Sequence, residues 1–175
     1  MLKPVQLYIP ELKKKFWEIA FEDHYMFVND GWVEDYEPTK QTWGDHEFVS
    51  VNKEGEVLGY IRYGINQRSQ IASGFCAISF TTNLGFARDL FQAIDDIFVR
   101  YQYKKLKFGV YVGNPVEKTY DKLCERYGGR IVGVYEKDAK LVDGKYYDYK
   151  MYEIFRDDYI KHRRKGGVTH AKSEI

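Results

Sequence analysis

The residues with the most chemical potential lie where an uncharged run meets an amphipathic one. Gly74-Phe75-Cys76-Ala77-Ile78-Ser79-Phe80 carries no charge, and Thr81-Thr82-Asn83-Leu84-Gly85-Phe86-Ala87 leads straight into a stretch with helical spacing. A strand that ends at the first turn of a helix leaves backbone N–H groups without partners, and the helix dipole adds partial positive charge at the same place. Such a turn can cradle a pyrophosphate. Small residues at Gly85 and Ala87 would let phosphate oxygens approach the backbone, and Leu90, one turn on, would anchor the helix to a sheet. Gly-x-Ala by itself is more often an ordinary strand-to-helix turn that holds nothing.

That turn needs a scaffold, and the periodicity around it supplies one. Phe48 and Val51, the turn from Asn52 to Glu56, and Val57 to Tyr63 read as a hairpin. Ile71 to Phe80 reads as a strand covered on both faces, which makes it central. Ala87, Leu90, Phe91, Ile94, Ile97, Phe98 and Tyr101 fall at helical spacing. Leu106 to Val112 predicts a strand, and Pro115 to Tyr127 a helix with Pro115 where its missing N–H costs nothing. Gly128-Gly129 ends that helix, and Arg130 to Tyr135 and Tyr146 to Ile154 flank Asp143-Gly144 as a closing hairpin. Upstream, Leu12, Phe16, Ile19, Ala20, Met26 and Phe27 predict a helix from Glu11 to Asn29, started by Pro10. Asp30 to Asp45 reads as an aromatic-rich loop, and the tail from Lys161 to Ile175 as a basic, flexible, solvated end.

The whole is an α/β (α+β) domain: a mixed, mostly antiparallel central sheet flanked by helices. An N-terminal helical and aromatic segment (1–46) belongs to the same domain as the core (47–160), and 161–175 forms the tail. At 175 residues there is room for one domain. The formal charge of +1 gives no field that would gather nucleic acid or an anionic membrane, so neither is expected as a partner. Aromatic residues make up 17% of the chain, enough to exclude disorder for most of it. Cys76 and Cys124 are too isolated for a disulfide framework or a zinc site, and no metal is expected. The first ten positions do not read as a signal peptide and no run of apolar residues is long enough for a bilayer, so a cytoplasmic location is expected.

The order of elements, hairpin, central strand, Gly-x-Ala turn, helix, strand, helix, Gly-Gly turn and hairpin, resembles the GNAT superfamily of acyl-CoA-dependent N-acyltransferases over roughly residues 47 to 155. The family's helix-start signature is Arg or Gln, two residues, Gly, one residue, then Gly or Ala. Gly85 and Ala87 match its last two positions, and Thr82 stands where Arg or Gln is usual. A second matching segment runs from Gly113-Asn114-Pro115 through Tyr120 to Gly128-Gly129.

The resemblance implies a splayed pair of parallel strands and acetyl-CoA as acyl donor. It places Ile78, Ser79, Phe80, Thr82, Asn83, Leu84, Gly85, Phe86, Ala87 and Asn114 against that molecule, with a backbone N–H near Ile78 to Phe80 polarising the thioester carbonyl. Tyr120 becomes the candidate general acid for the leaving thiolate; the bland reading is a helix tyrosine packed on the sheet. Counting back from Gly128 puts Cys124 where the family's tyrosine usually lies, so this helix is about one turn longer. No carboxylate lies on either candidate strand to act as base. A water chain, or Glu22, Asp23 and His24, could stand in, although a charged triplet on an amphipathic helix is otherwise a solvated face.

An amine acceptor is implied. Trp32, Tyr36, Trp43, Tyr146, Tyr147, Tyr149 and Tyr152 are available to wall a slot for a cationic or aromatic amine, or simply to pack; Lys137, Lys140 and Lys145 read as solubilising charges. The implied activity is N-acyl transfer, most simply N-acetyl transfer, in a ternary complex, and a homodimer is compatible with it. The alternative is a GNAT-like binding or assembly protein without turnover, motivated by Thr82, the missing carboxylate and the shifted tyrosine.

Overall fold

The structure, a computed structural model, describes residues 1–20, 22, 25–28, 36, 38, 43–81 and 83–170, of which 164–170 are described by backbone alone. Seven strands form one sheet: β1 (Leu2–Pro4), β2 (Asp45–Val51), β3 (Val57–Asn66), β4 (Ile71–Ser79), β5 (Lys105–Tyr111), β6 (Arg130–Lys140) and β7 (Tyr146–Phe155), in the order β1-β2-β3-β4-β5-β7-β6. Every neighbouring pair is antiparallel except β4 and β5, which run parallel because α2 (Leu84–Asp95) crosses between them. The fold class and the central place of β4 are as the sequence predicts.

Alternation along the strands separates two apolar layers. On one face α1 (Ile9–Ile19) lays Leu12, Phe16 and Ile19 against Val49, Val51, Tyr60 and Ile78. Leu12 and Phe16 are fully buried, each worth about 1.5–3 kcal/mol against exposure. On the other face, α2 and the π turn that extends it (Asp96–Arg100) bury Phe86, Ala93, Ile94, Ile97 and Phe98 over Ile61, Phe75, Leu106 and Ile154. α3 (Glu117–Tyr127) covers the same face and stops at Gly128, whose φ of 69° gives the left-handed cap.

Three elements depart from expectation. α1 ends at Ile19, not Asn29, because the charged triplet from Glu22 interrupts the apolar stripe; tight turns follow, with the Tyr25 amide donating to the Glu22 carbonyl at 2.8 Å. β1 is too short to show a period, and pairs with β2 through Leu2 opposite Ser50. Much of the presumed tail belongs to α4 (Arg156–His170), which docks through the buried ring of Tyr159, stacked on Phe98 at 4.7 Å, and whose Tyr159 hydroxyl donates to Asp95 at 2.6 Å.

Candidate functional site

The site begins where β4 and β5 part. Their pairing runs through Ile71 opposite Lys105, Ala72 opposite Leu106 and Phe75 opposite Phe108, with an irregularity after Ala72. Gly74 sits inside that irregularity with φ at +64°, a conformation that glycine adopts without a Cβ penalty. Beyond Phe75 no pairing joins the two strands, although β4 continues to Ser79 and β5 to Tyr111.

The register on the other side of β4 says which amides this leaves over. The Phe80 N–H donates to the Leu58 carbonyl at 2.9 Å, and Tyr60 lies opposite Ile78. In an antiparallel ladder alternate residues face the same neighbour, so the amides of Ile78 and Phe80 serve β3, while those of Ala77 and Ser79 point into the gap. Of the predicted trio only Ser79 therefore offers its N–H, and Ala77, missed from the sequence, offers another. The Ser79 carbonyl accepts from the Tyr25 hydroxyl at 2.7 Å, and its side chain donates to the Thr81 carbonyl at 2.6 Å.

A cavity of about 690 Å³ passes through the gap. On the α2 and α3 side it is walled by Phe75, Phe108, Val116 and Tyr120, and on the opposite side by Arg62, Cys76, Lys107, Tyr111, Tyr149 and Met151. Tyr120 is buried, edge-on to Phe108 at a centroid distance of 5.0 Å. Burial, with the Cys76 thiol nearby, pushes its phenol well above the ordinary value of 10.0, so it stays protonated. Burial also pushes the Cys76 thiol up to about 11, which keeps it a thiol. Cys124, the other candidate by count, is buried in the core between α3 and the sheet and does not line the cavity.

Two acidic residues fix α3 in place. Lys150 on β7 donates to Asp121 at 2.8 Å and Glu117 at 3.1 Å, and the Tyr152 hydroxyl donates to Asp121 at 2.8 Å. The hydrogen bond to Asp121 holds the Lys150 ammonium above its ordinary range. Asn114 lies at the entrance to α3 and lines the cavity, its side-chain oxygen accepting from the Val116 amide at 3.0 Å.

The turn into α2 is already partly capped. Asn83 is the N-cap, and its Oδ1 accepts from the Gly85 amide at 2.6 Å. The Ala87 amide reaches back to the Asn83 carbonyl at 3.4 Å, which leaves Leu84 and Phe86 as first-turn amides without an intrahelical partner. The Leu84 side chain is 90% exposed, whereas Phe86 turns inward against Gly59. Thr82 lies outside the described residues.

The other aromatic candidates divide. Tyr149 and Tyr152 line the cavity. Tyr36 is core instead, with its hydroxyl on Glu47 at 2.8 Å. Trp43 and Tyr146 are exposed, and Tyr147 meets Phe27 edge-on at 5.4 Å while donating to Asp143. Trp32, Asp23 and His24 lie outside the described residues, and Glu22 is exposed. Lys137, Lys140 and Lys145 sit on or beside the closing hairpin, away from the cavity lining.

No family model matches the chain, and no curated protein matches it by sequence. Solved structures do. A spermidine/spermine N-acetyltransferase from Vibrio cholerae, in complex with manganese ions, superposes with a TM-score of 0.58 at 24% identity over 69% of this chain and 71% of that one. The spermidine N-acetyltransferase of the same organism in complex with CoA and spermine gives 0.69 at 18% identity, over 91% and 97%. A chimera of that enzyme with hSSAT gives 0.56 at 25%, over 67% and 71%. The chain has the fold of the GNAT superfamily, splayed parallel pair included.

Proposed function

We propose that the protein is an N-acyltransferase that moves an acetyl group from acetyl-CoA to an amine of a small molecule or a protein by direct attack, both substrates being bound together. The observation that carries this is the opening of the sheet beyond Phe75 and Phe108, beside the first turn of α2. An extended, amide-bearing thioester arm laid in that gap would bond to the amides of Ala77 and Ser79 as an added strand would. The first turn of α2, through Leu84 and Phe86, would receive the diphosphate, joined by Gly85 once Asn83 releases its amide. Thr82, Ala87 and Asn114 complete the proposed contacts with the donor.

The chemistry asks little more of the chain. An N–H from β4 facing the thioester oxygen stabilises the charge that develops as the amine attacks. The carbon–sulfur bond then breaks, and the buried Tyr120 phenol donates a hydrogen bond to the departing thiolate. Two described cavity residues are unsuited as the base: Glu153 is held low by Lys105, and Cys76 high by burial. The ammonium proton therefore leaves to water. The same reading places the protein in the cytoplasm. It leaves the edge strand β6, with Ile131, Val132, Val134 and Tyr135 exposed, as the surface for a homodimer.

The test is thermal shift with CoA, where a ligand at a hundred times its Kd should add about 2.7 kcal/mol of stability. Gly85→Glu, which sets bulk and negative charge in the first turn, should abolish that shift and leave the circular dichroism spectrum unchanged. No shift at millimolar CoA refutes the reading. A full shift without thiol release, whatever the amine supplied, would instead identify a binding scaffold without turnover.

A further inference from the structure

The cavity has a second face, opposite α2 and α3, and its charges say what kind of amine it accepts. Glu153 is the one carboxylate among the described residues that line the cavity. It is buried, and both its oxygens are engaged: Lys105 Nζ lies 2.9 Å from Oε2, and the Arg130 guanidinium lies 2.6 Å and 2.8 Å from Oε1. The hydrogen bond from Lys105 leads the causes that hold its carboxyl low, so it remains an anion with its charge already answered twice over. Lys107, directly across the strand pair from Glu153, is exposed and enters no ion pair among the described residues. Arg62 also lines the cavity and stands across from the buried Glu47 on β2. Even with Glu47 counted, and with Asp138 near Tyr149 at the edge of the wall, the described wall and its immediate support hold Arg62, Lys105, Lys107 and Arg130 against three carboxylates.

A polycation entering here would meet like charge and find no open carboxylate among the described residues that line the cavity. A field of this sign in a concave site with apolar walls repels cations and draws anions. Met151, Tyr111 and Tyr149 supply the apolar wall beside it.

Resting on the transferase reading, we propose that the acceptor is a small amine that itself carries an anionic group, which is held at Lys107 while the amine reaches the gap. Lys107 is then a specificity-determining residue, not a catalytic one. The anion could be a carboxylate or a phosphate, and the chemistry is shared.

The experiment follows thiol release from acetyl-CoA by the full chain with four acceptors: glutamate for the carboxylate, phosphoethanolamine for the phosphate, tyramine without an anion, and spermidine as the polycation. At least one anion-bearing amine should exceed tyramine and spermidine in kcat/KM by tenfold or more, and the better of the two identifies the anion. Lys107→Glu should raise KM for that amine at least tenfold with kcat changed less than twofold, and the preference should shrink as salt rises. Preference for spermidine, equal use of all four, absence of turnover with either anionic amine, or an unmoved KM in Lys107→Glu each overturns the inference. CoA binding measured alongside by thermal shift keeps the two claims apart, since its absence defeats the transferase reading itself.

Discussion

The ring of Tyr149 lies against the α-carbon of Gly109 so closely that a methyl group there would come within 2.5 Å of two ring carbons. Both residues line the cavity, Gly109 on β5 and Tyr149 on β7. The missing side chain lets the ring lie flat on the sheet and keeps it out of the gap. Gly109→Ala should cost about 1–3 kcal/mol in urea unfolding and lower kcat/KM by displacing the ring into the opening. Adding Tyr149→Ala should recover part of the loss, and an additive double-mutant cycle would show that the two do not act together.

A second glycine places the turn proposed to hold the donor. A Cβ at Gly59 would sit 2.3 Å from Phe86 Cε2 and 2.6 Å from the Ile78 carbonyl oxygen. Gly59 on β3 is therefore the seat on which the first turn of α2 rests. Gly59→Ala has to push Phe86 outward, and the amides of that turn move with it. CoA affinity by calorimetry should fall at least tenfold, because several amides lose their aim together. An unchanged Kd in a folded variant would remove α2 from the binding site.

Much of this scaffold was legible, and what was not has identifiable causes. The charge-free run through Ile78 announced a strand buried on both faces, and Leu90 to Phe98 a helix, because burial writes its period directly into residue type. β1 has too few residues for any period, and α4 from Lys161 on shows no apolar stripe, so its docking through Tyr159, Ile160 and the Arg163–Asp95 pair left no periodic signal. Of the residues proposed for the site, Gly85 was picked out by its type at the start of a helix, and Asn114 and Tyr120 by the resemblance alone. Ala77 did not, since its contribution is a backbone amide whose availability depends on where β5 ceases to pair. Asn83 read as part of a binding turn, and the structure adds that its side chain caps the very amide expected to be open. Glu153 read as a strand residue, because nothing local shows that Lys105 and Arg130 converge on it.

Tyr120 separates chemistry from binding. Tyr120→Phe keeps the ring against Phe108 and removes only the hydroxyl, so the fold and CoA affinity should be unchanged. kcat should fall by about 100-fold, within the range for loss of a positioned proton donor. Burial raises the phenol above 10.0, which favours its neutral form, so the wild-type rate should not fall between pH 7 and pH 10 through loss of that proton. An equal rate in Tyr120→Phe would return the residue to packing alone.

Glu153 ties the acceptor wall to acid stability. Its carboxyl lies below the ordinary value of 4.5 chiefly through the Lys105 hydrogen bond, against an opposing push from burial. A group whose folded value is depressed stabilises the fold fully above its unfolded value and loses that contribution as pH falls through the folded one. The contribution is thus complete at pH 6 and declines below about pH 4.5. Glu153→Gln should cost on the order of 2 kcal/mol at pH 7, since Lys105 and Arg130 lose the anion that both address. The same variant should lose less stability than wild type between pH 6 and pH 3, because it has no carboxylate left to protonate. Parallel pH profiles of the two proteins would mean that the ion triad contributes nothing to folding and that the cations on this wall are held by other contacts.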